Sequence, residues 1–181
     1  MPDEYEGIKM ELTSVRRRLA LALFALLPAL PLAAADPEPI RVEAEMLDGS
    51  PYSLAGREDK ITLLSAWSPE SLSSRKSIWE LQRFASAYES RGIYTLAVST
   101  LNDKSALRGF IAKRKLSLPV AILGKHDLGR LDELRLPLVY VFDSKGQLLA
   151  THAGLFSMAV LERLVAPLLP PLKTDSSKAP L

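Results

Sequence analysis

Four serines, Ser68, Ser71, Ser73 and Ser74, crowd the stretch between a continuous apolar run at 61–66 and the helical pattern that follows it. A strand that ends in a polar turn at a helix N-terminus is a common seat of chemistry. Free backbone N–H groups and the positive end of the helix dipole converge there. A serine nucleophile in that place would need a positioned base, normally histidine, and an acid to orient it. The chain has two histidines. His126 falls in a polar connection and His152 on an outer hairpin, so the pattern places neither at the helix start. Ser71 and Ser74 are therefore read as residues that cap and solvate a helix start. His126-Asp127 is one adjacent pair with no second histidine at helical spacing, so no metal site is expected. No cofactor is expected either. The chain has no cysteine, which excludes disulfides, thiolate metal ligands, thiol nucleophiles and a lipid-modified N-terminal cysteine.

The 181 residues are enough for one domain of ordinary size, and 48% apolar against 24% charged residues marks a globular chain. A net charge of +2, from 23 basic and 21 acidic residues, gives no electrostatic case for nucleic acid. The densest basic cluster, Lys113-Arg114-Lys115 with Arg108 upstream, falls at the end of a helix, where positive charge complements the dipole.

The elements that must position the serines follow from periodicity. Alternation of Ile40, Val42, Ala44 and Met46 with Arg41, Glu43 and Glu45 predicts a half-buried strand over 40–46. Asp48-Gly49 is a turn, and 51–54 returns as a short strand. The run at 61–66 is a buried central strand. The first helix is expected to start near Ser68, with Pro69 at its first position and Glu70 at the positive end of the dipole. Its buried stripe is Ile78, Leu81, Phe84, Ala85 and Tyr88, and Gly92 stops it. A second apolar strand covers 93–98. Asn102-Asp103-Lys104 caps a second helix carrying Leu107, Phe110 and Ile111. A third apolar run spans 118–123, and 124–133 is polar with little periodicity. Leu136-Pro137 leads into a fourth strand at 138–142, Asp143-Ser144-Lys145-Gly146 turns, and 147–152 returns antiparallel. The last helix is expected over 157–169 and is ended by Pro170-Pro171. Strands alternating with helices imply parallel pairing, and the hairpin adds antiparallel strands. The expected class is α/β, a mixed central sheet with helices on both faces.

Residues 1–35 read as a secretory signal peptide. Lys9 and Arg16-Arg17-Arg18 precede an apolar stretch at 19–32, and Ala33-Ala34-Ala35 supplies a small-residue cleavage site. The alternative is a retained anchor, although the stretch is shorter than the ~20 residues of a spanning helix. Met10 is an alternative start. Residues 36–169 form the domain, and 170–181 a polar tail.

The order and spacing of these pieces resemble the thioredoxin fold, and within it the TlpA-like and redoxin branch of exported thiol-disulfide proteins. Four features carry the resemblance. Lys60-Ile61-Thr62-Leu63-Leu64-Ser65-Ala66-Trp67 is similar to the family's central strand. Arg75 and Leu81 stand where that family has an arginine after its second cysteine and a leucine on the first helix. The segment 136–146 resembles its cis-proline strand and hairpin, and the N-terminal strand with Asp48-Gly49 its opening segment. In this register the family's CxxC falls on Ser71-Leu72-Ser73-Ser74, so both thiols are replaced by hydroxyls. A register three residues earlier, on Ser68 and Ser71, also leaves the site without sulfur.

Disulfide exchange needs a thiolate, which a serine cannot supply. What the resemblance implies is a scaffold with a degenerate active site. Catalytic residues are not expected. Its peptide-binding surface would comprise Trp67, Ser71, Leu136 and Pro137, with the backbone of Leu136 presented beside Ser71. Trp67 is either an apolar wall of that groove or a packing residue. The partner would be a protein or an extended peptide. Contact with a membrane would come only through an uncleaved N-terminal segment. The expected location is the periplasm, alternatively the inner membrane facing it. Two further readings stand beside binding: a redox component that uses a partner's cysteines, and a structural or assembly protein.

Overall fold

The structure, a computed structural model, describes residues 38–54, 61–131 and 135–170. Residues 38–170 belong to one compact unit. The expected signal segment and the tail beyond Pro170 lie outside the described residues.

Seven strands form one mixed sheet: β1 (Val42–Met46), β2 (Pro51–Ser53), β3 (Ile61–Trp67), β4 (Ile93–Ser99), β5 (Val120–His126), β6 (Leu138–Phe142) and β7 (Leu148–Ala153). Their spatial order is β2-β1-β5-β4-β3-β6-β7. The pairs β3–β4 and β4–β5 are parallel, and the other four are antiparallel. Among the described residues three α-helices pack with the sheet: α1 (Leu72–Tyr88), α2 (Lys104–Arg114) and α3 (Met158–Val165).

The apolar patterns explain each placement. β3 is buried along nearly its whole length because it sits inside the sheet, with β4 on one side and β6 on the other. β1 alternates, burying Val42 and Ala44 and exposing Glu43 and Glu45, because one of its faces meets water. Side chains of opposite parity feed two cores. One holds Leu63, Trp67, Ala97 and Val139 of the sheet against Leu81 and Phe84 of α1, Leu107 of α2 and Leu161 of α3. The other holds Leu64, Ala66, Leu96, Tyr140 and Phe142 with Val42 and Tyr52. Each fully buried leucine or phenylalanine contributes ~1.5–3 kcal/mol relative to exposure.

Among the described residues all three helices send their buried side chains into the first core, and Leu128 and Leu131 pack on the second. The shared face of the helices has a topological cause. The crossovers β3-α1-β4 and β4-α2-β5 step the same way across the sheet, and connections of a single hand then fall on one side.

The first helix starts at Leu72 with Ser71 as N-cap, not near Ser68. Ser68 is buried, and its Oγ accepts the Glu70 N–H at 3.1 Å, so it begins a turn that precedes the helix. The strand expected to stop at 123 continues to His126, because pairing with β1 carries Gly124 and Lys125 into the sheet. The last helix is shorter than expected: α3 stops at Val165 and a 3-10 turn, Ala166–Leu168, follows.

Candidate functional site

Three segments converge at the N-terminal end of α1. The first is the turn 68–71 and the helix start. Ser71 is extended (φ −74°, ψ 125°), and its Oγ accepts the Ser74 N–H at 3.3 Å. The Ser74 Oγ in turn accepts the Ser68 N–H at 3.3 Å. The first of these bonds satisfies a donor that the helix start would otherwise leave orphaned, and the second ties the preceding turn to the helix. Arg75 fastens the turn by donating to the carbonyls of Pro69 and Glu70, both at 2.9 Å. The second segment is Arg135-Leu136-Pro137, in which the Leu136–Pro137 peptide bond is cis. Ser71 Oγ donates to the Leu136 carbonyl at 3.4 Å, which sets this loop against the helix start. The third segment follows β7: the Gly154 N–H donates to the carbonyls of Pro137 at 2.8 Å and Arg135 at 3.1 Å.

The third segment is tied to α1 as well. Ser77 is buried; its Oγ accepts the Phe156 N–H at 3.1 Å and donates to the Phe156 carbonyl at 3.4 Å. One turn further along α1, Glu80 Oε2 accepts the Met158 N–H at 3.0 Å, a cap for α3 that Ser157 does not supply. Ser77→Ala leaves a buried N–H without an acceptor. The expected cost is ~1–3 kcal/mol in urea unfolding, with an unchanged slope. A loss below ~0.5 kcal/mol would refute this reading of the contact.

The structure brings the expected site residues together but does not expose them all. Ser71 is half-buried beside the Leu136–Pro137 loop, and Ser74 is buried. Trp67 and Leu136 are each 1% exposed, and Pro137 is buried. A peptide wall made of Trp67, with the Leu136 backbone laid open, is therefore corrected. Trp67 is a core residue whose ring packs on Phe110 at 5.5 Å between centroids, and the Leu136 carbonyl is engaged by Ser71. Apolar surface at this end belongs instead to Leu72, 59% exposed, and Leu155, 57% exposed. Leu72 adjoins the N-cap serine, and Leu155 lies between Gly154, bound to Pro137, and Phe156, bound to Ser77. Sequence reasoning passed over both. An apolar residue inside a run of serines was a usable signal for Leu72; nothing in the spacing marks Leu155.

Among the described residues no histidine is set as a base beside the site serines. The His126 Nδ1 accepts the Leu128 N–H at 3.3 Å, at the C-terminal end of β5. The ring of His152, on β7, meets the Leu155 carbonyl at 3.3 Å and Phe156 edge-on. Among the described residues neither histidine bonds a serine. Asp127 turns to Arg41 at 3.0 Å, whose hydrogen bond and charge hold its carboxyl below the usual range. Among the described residues no three histidine, aspartate or glutamate side chains cluster to hold a metal. In the basic cluster, Arg108 donates to the Leu47 carbonyl and Arg114 lies over the Phe110 ring at 5.4 Å. No described helix is long and apolar enough to cross a membrane.

The strand order, the closing hairpin and the cis proline beside a helix start define a thioredoxin-like fold. Solved structures agree. A thiol:disulfide interchange protein of the thioredoxin family from Chlorobium tepidum superposes with a TM-score of 0.61 at 19% identity, over 75% of this chain and 98% of its own. A DsbF homologue from Corynebacterium diphtheriae gives 0.61 at 17% identity, over 78% and 98%. A secreted thiol-disulfide isomerase from Corynebacterium glutamicum gives 0.61 at 15% identity, over 77% and 97%. At such identities the likeness establishes the fold alone. No family model matches the sequence, and no curated protein matches it.

Proposed function

We propose that this is an exported protein of thioredoxin-like fold that has no thiol chemistry of its own and binds a segment of another protein at the N-terminal end of α1. The observation that carries the reading is the serine pair. Ser71 and Ser74 occupy the two ends of the CxxC register, and their hydroxyls are spent within the fold, on each other's segment and on the Leu136 carbonyl. Two exposed leucines, Leu72 and Leu155, flank that centre and supply apolar contact. Ser71 is half-buried, and Trp67, Leu136 and Pro137 are buried. Export, into a periplasm, rests on the basic and apolar layout of residues 1–35.

The test has two arms. Purified protein is expected to give no turnover in a disulfide-reduction assay. Capture from the exported fraction is expected to recover a protein partner. Leu72→Glu with Leu155→Glu should lower that recovery about tenfold or more, the loss of ~1.4 kcal/mol. Melting should not change, because both side chains are exposed. Turnover by the wild type, or equal recovery by the double variant, would overturn the reading.

A further inference from the structure

The two edges of the sheet are built differently. β2, at one end, is three residues long and opens with Pro51, two features that discourage a further strand from pairing. β7, at the other end, is six residues long, Leu-Leu-Ala-Thr-His-Ala, with no proline and no acidic, lysine or arginine side chain. Among the described residues it pairs on one side only, with β6. Leu148, Leu149, Thr151 and Ala153 are exposed along it. One irregularity interrupts it: Val141 pairs with Ala150 and Phe142 with Leu148, which leaves Leu149 as the extra residue of a bulge.

The hydrogen-bond phase shows which groups are free. The Gly154 N–H donates to the Pro137 carbonyl, which makes 137 and 154 a bonded pair of the antiparallel ladder. By alternation, His152 bonds with Val139 and Ala150 with Val141. Thr151 and Ala153 therefore turn their N–H and C=O outward from the sheet. Groups in that geometry are completed by another extended strand.

We propose that β7 pairs antiparallel with β7 of a second copy of this chain, about a two-fold axis at Thr151. The sequence of the strand selects this register. Outward-facing residues pair, so 151 meets 151, 152 meets 150 on either side of it, and 153 comes opposite the bulged Leu149. Thr151 then faces Thr151, a favourable cross-strand pair, and His152 faces Ala150, so no like charges oppose. Sliding by two residues toward the C-terminus sets His152 against His152. The chosen register also covers Leu149, an exposed leucine that nothing in the described fold accounts for. An isologous contact of this kind closes at two copies and builds no filament.

The test is the oligomeric state of the purified full chain, by sedimentation equilibrium across a concentration series. A reversible monomer–dimer equilibrium is expected. Thr151→Pro removes an N–H that the monomer leaves unpaired. Leu149→Lys adds a charge to the edge. Each should raise the dimer dissociation constant about tenfold or more, ~1.4 kcal/mol. Leu149→Lys keeps the test decisive if the proline variant folds poorly. Amide exchange at Thr151 and Ala153 should slow as the dimer fills. A chain that stays monomeric at every concentration overturns the proposal. So does a dimer that both variants leave intact, or a monomer whose edge takes up an added extended peptide instead.

Discussion

Replacing Ser71 and Ser74 together by cysteine is expected to restore a disulfide to a protein that now has no sulfur at its helix start. The two residues are the N-cap and third position of α1, and the Ser71 Oγ already lies 3.3 Å from the Ser74 N–H. Positions three apart in a first helical turn fall within the ~4.4–6.8 Å that a disulfide requires between Cα atoms. The free N–H groups and dipole of α1 favour a thiolate at 71, so its pKa should fall below the ~8.5 of a free cysteine. Reduced protein should titrate as two thiols and oxidised protein as none. The thiolate absorbance should show the depressed pKa. Losing the serine cap should cost the reduced form ~0.5–2 kcal/mol. Two thiols that survive oxidation would mean that α1 does not open in the manner of this scaffold.

The second large effect concerns the core. Trp67→Ala is expected to destabilise the fold by ~3–5 kcal/mol, because a fully buried aromatic leaves a cavity that its neighbours fill only in part. That is a large share of the ~5–15 kcal/mol of a typical domain. Trp67→Phe should cost far less. The Trp67 Nε1 is buried and has no hydrogen-bond partner among the described residues, so phenylalanine removes an unsatisfied donor along with some packing. Urea midpoints for the two variants, at constant slope, decide the matter. If alanine costs no more than phenylalanine, Trp67 is not the packing centre described.

Much of this architecture was legible because local patterns and tertiary demands agree. The unbroken run at 61–66 can be satisfied only inside a sheet. Asp103, expected among the capping residues of the second helix, accepts the Ala106 N–H at 2.9 Å. The turn at 143–146 closes as its residues imply, with Asp143 Oδ1 taking the N–H groups of Lys145 and Gln147.

The failures have one cause: choices made by distant partners. Ser68 and Ser71 carry the same capping signature, and it is Ser74 and Leu136 that decide between them. Gly124 opens a stretch that reads as polar with little periodicity. In the sheet a Cβ there would meet the Glu43 carbonyl oxygen at 3.0 Å, so glycine is what lets β5 run on beside β1. At the candidate site, the convergence of Ser71 with Leu136 and Pro137 was readable by resemblance. The burial of Trp67 and Leu136, and the exposure of Leu155, were not, since exposure depends on what the rest of the chain lays on top.

The serine hydroxyls at the head of α1 carry a last implication. A dithiol in that place exists in two states, and its surroundings choose between them. Ser68, Ser71 and Ser74 offer one state, whatever oxidant or reductant is present. A partner held against that end of the helix would thus be retained on contact strength alone. It would leave by dilution or competition, and no electron would be needed to let it go.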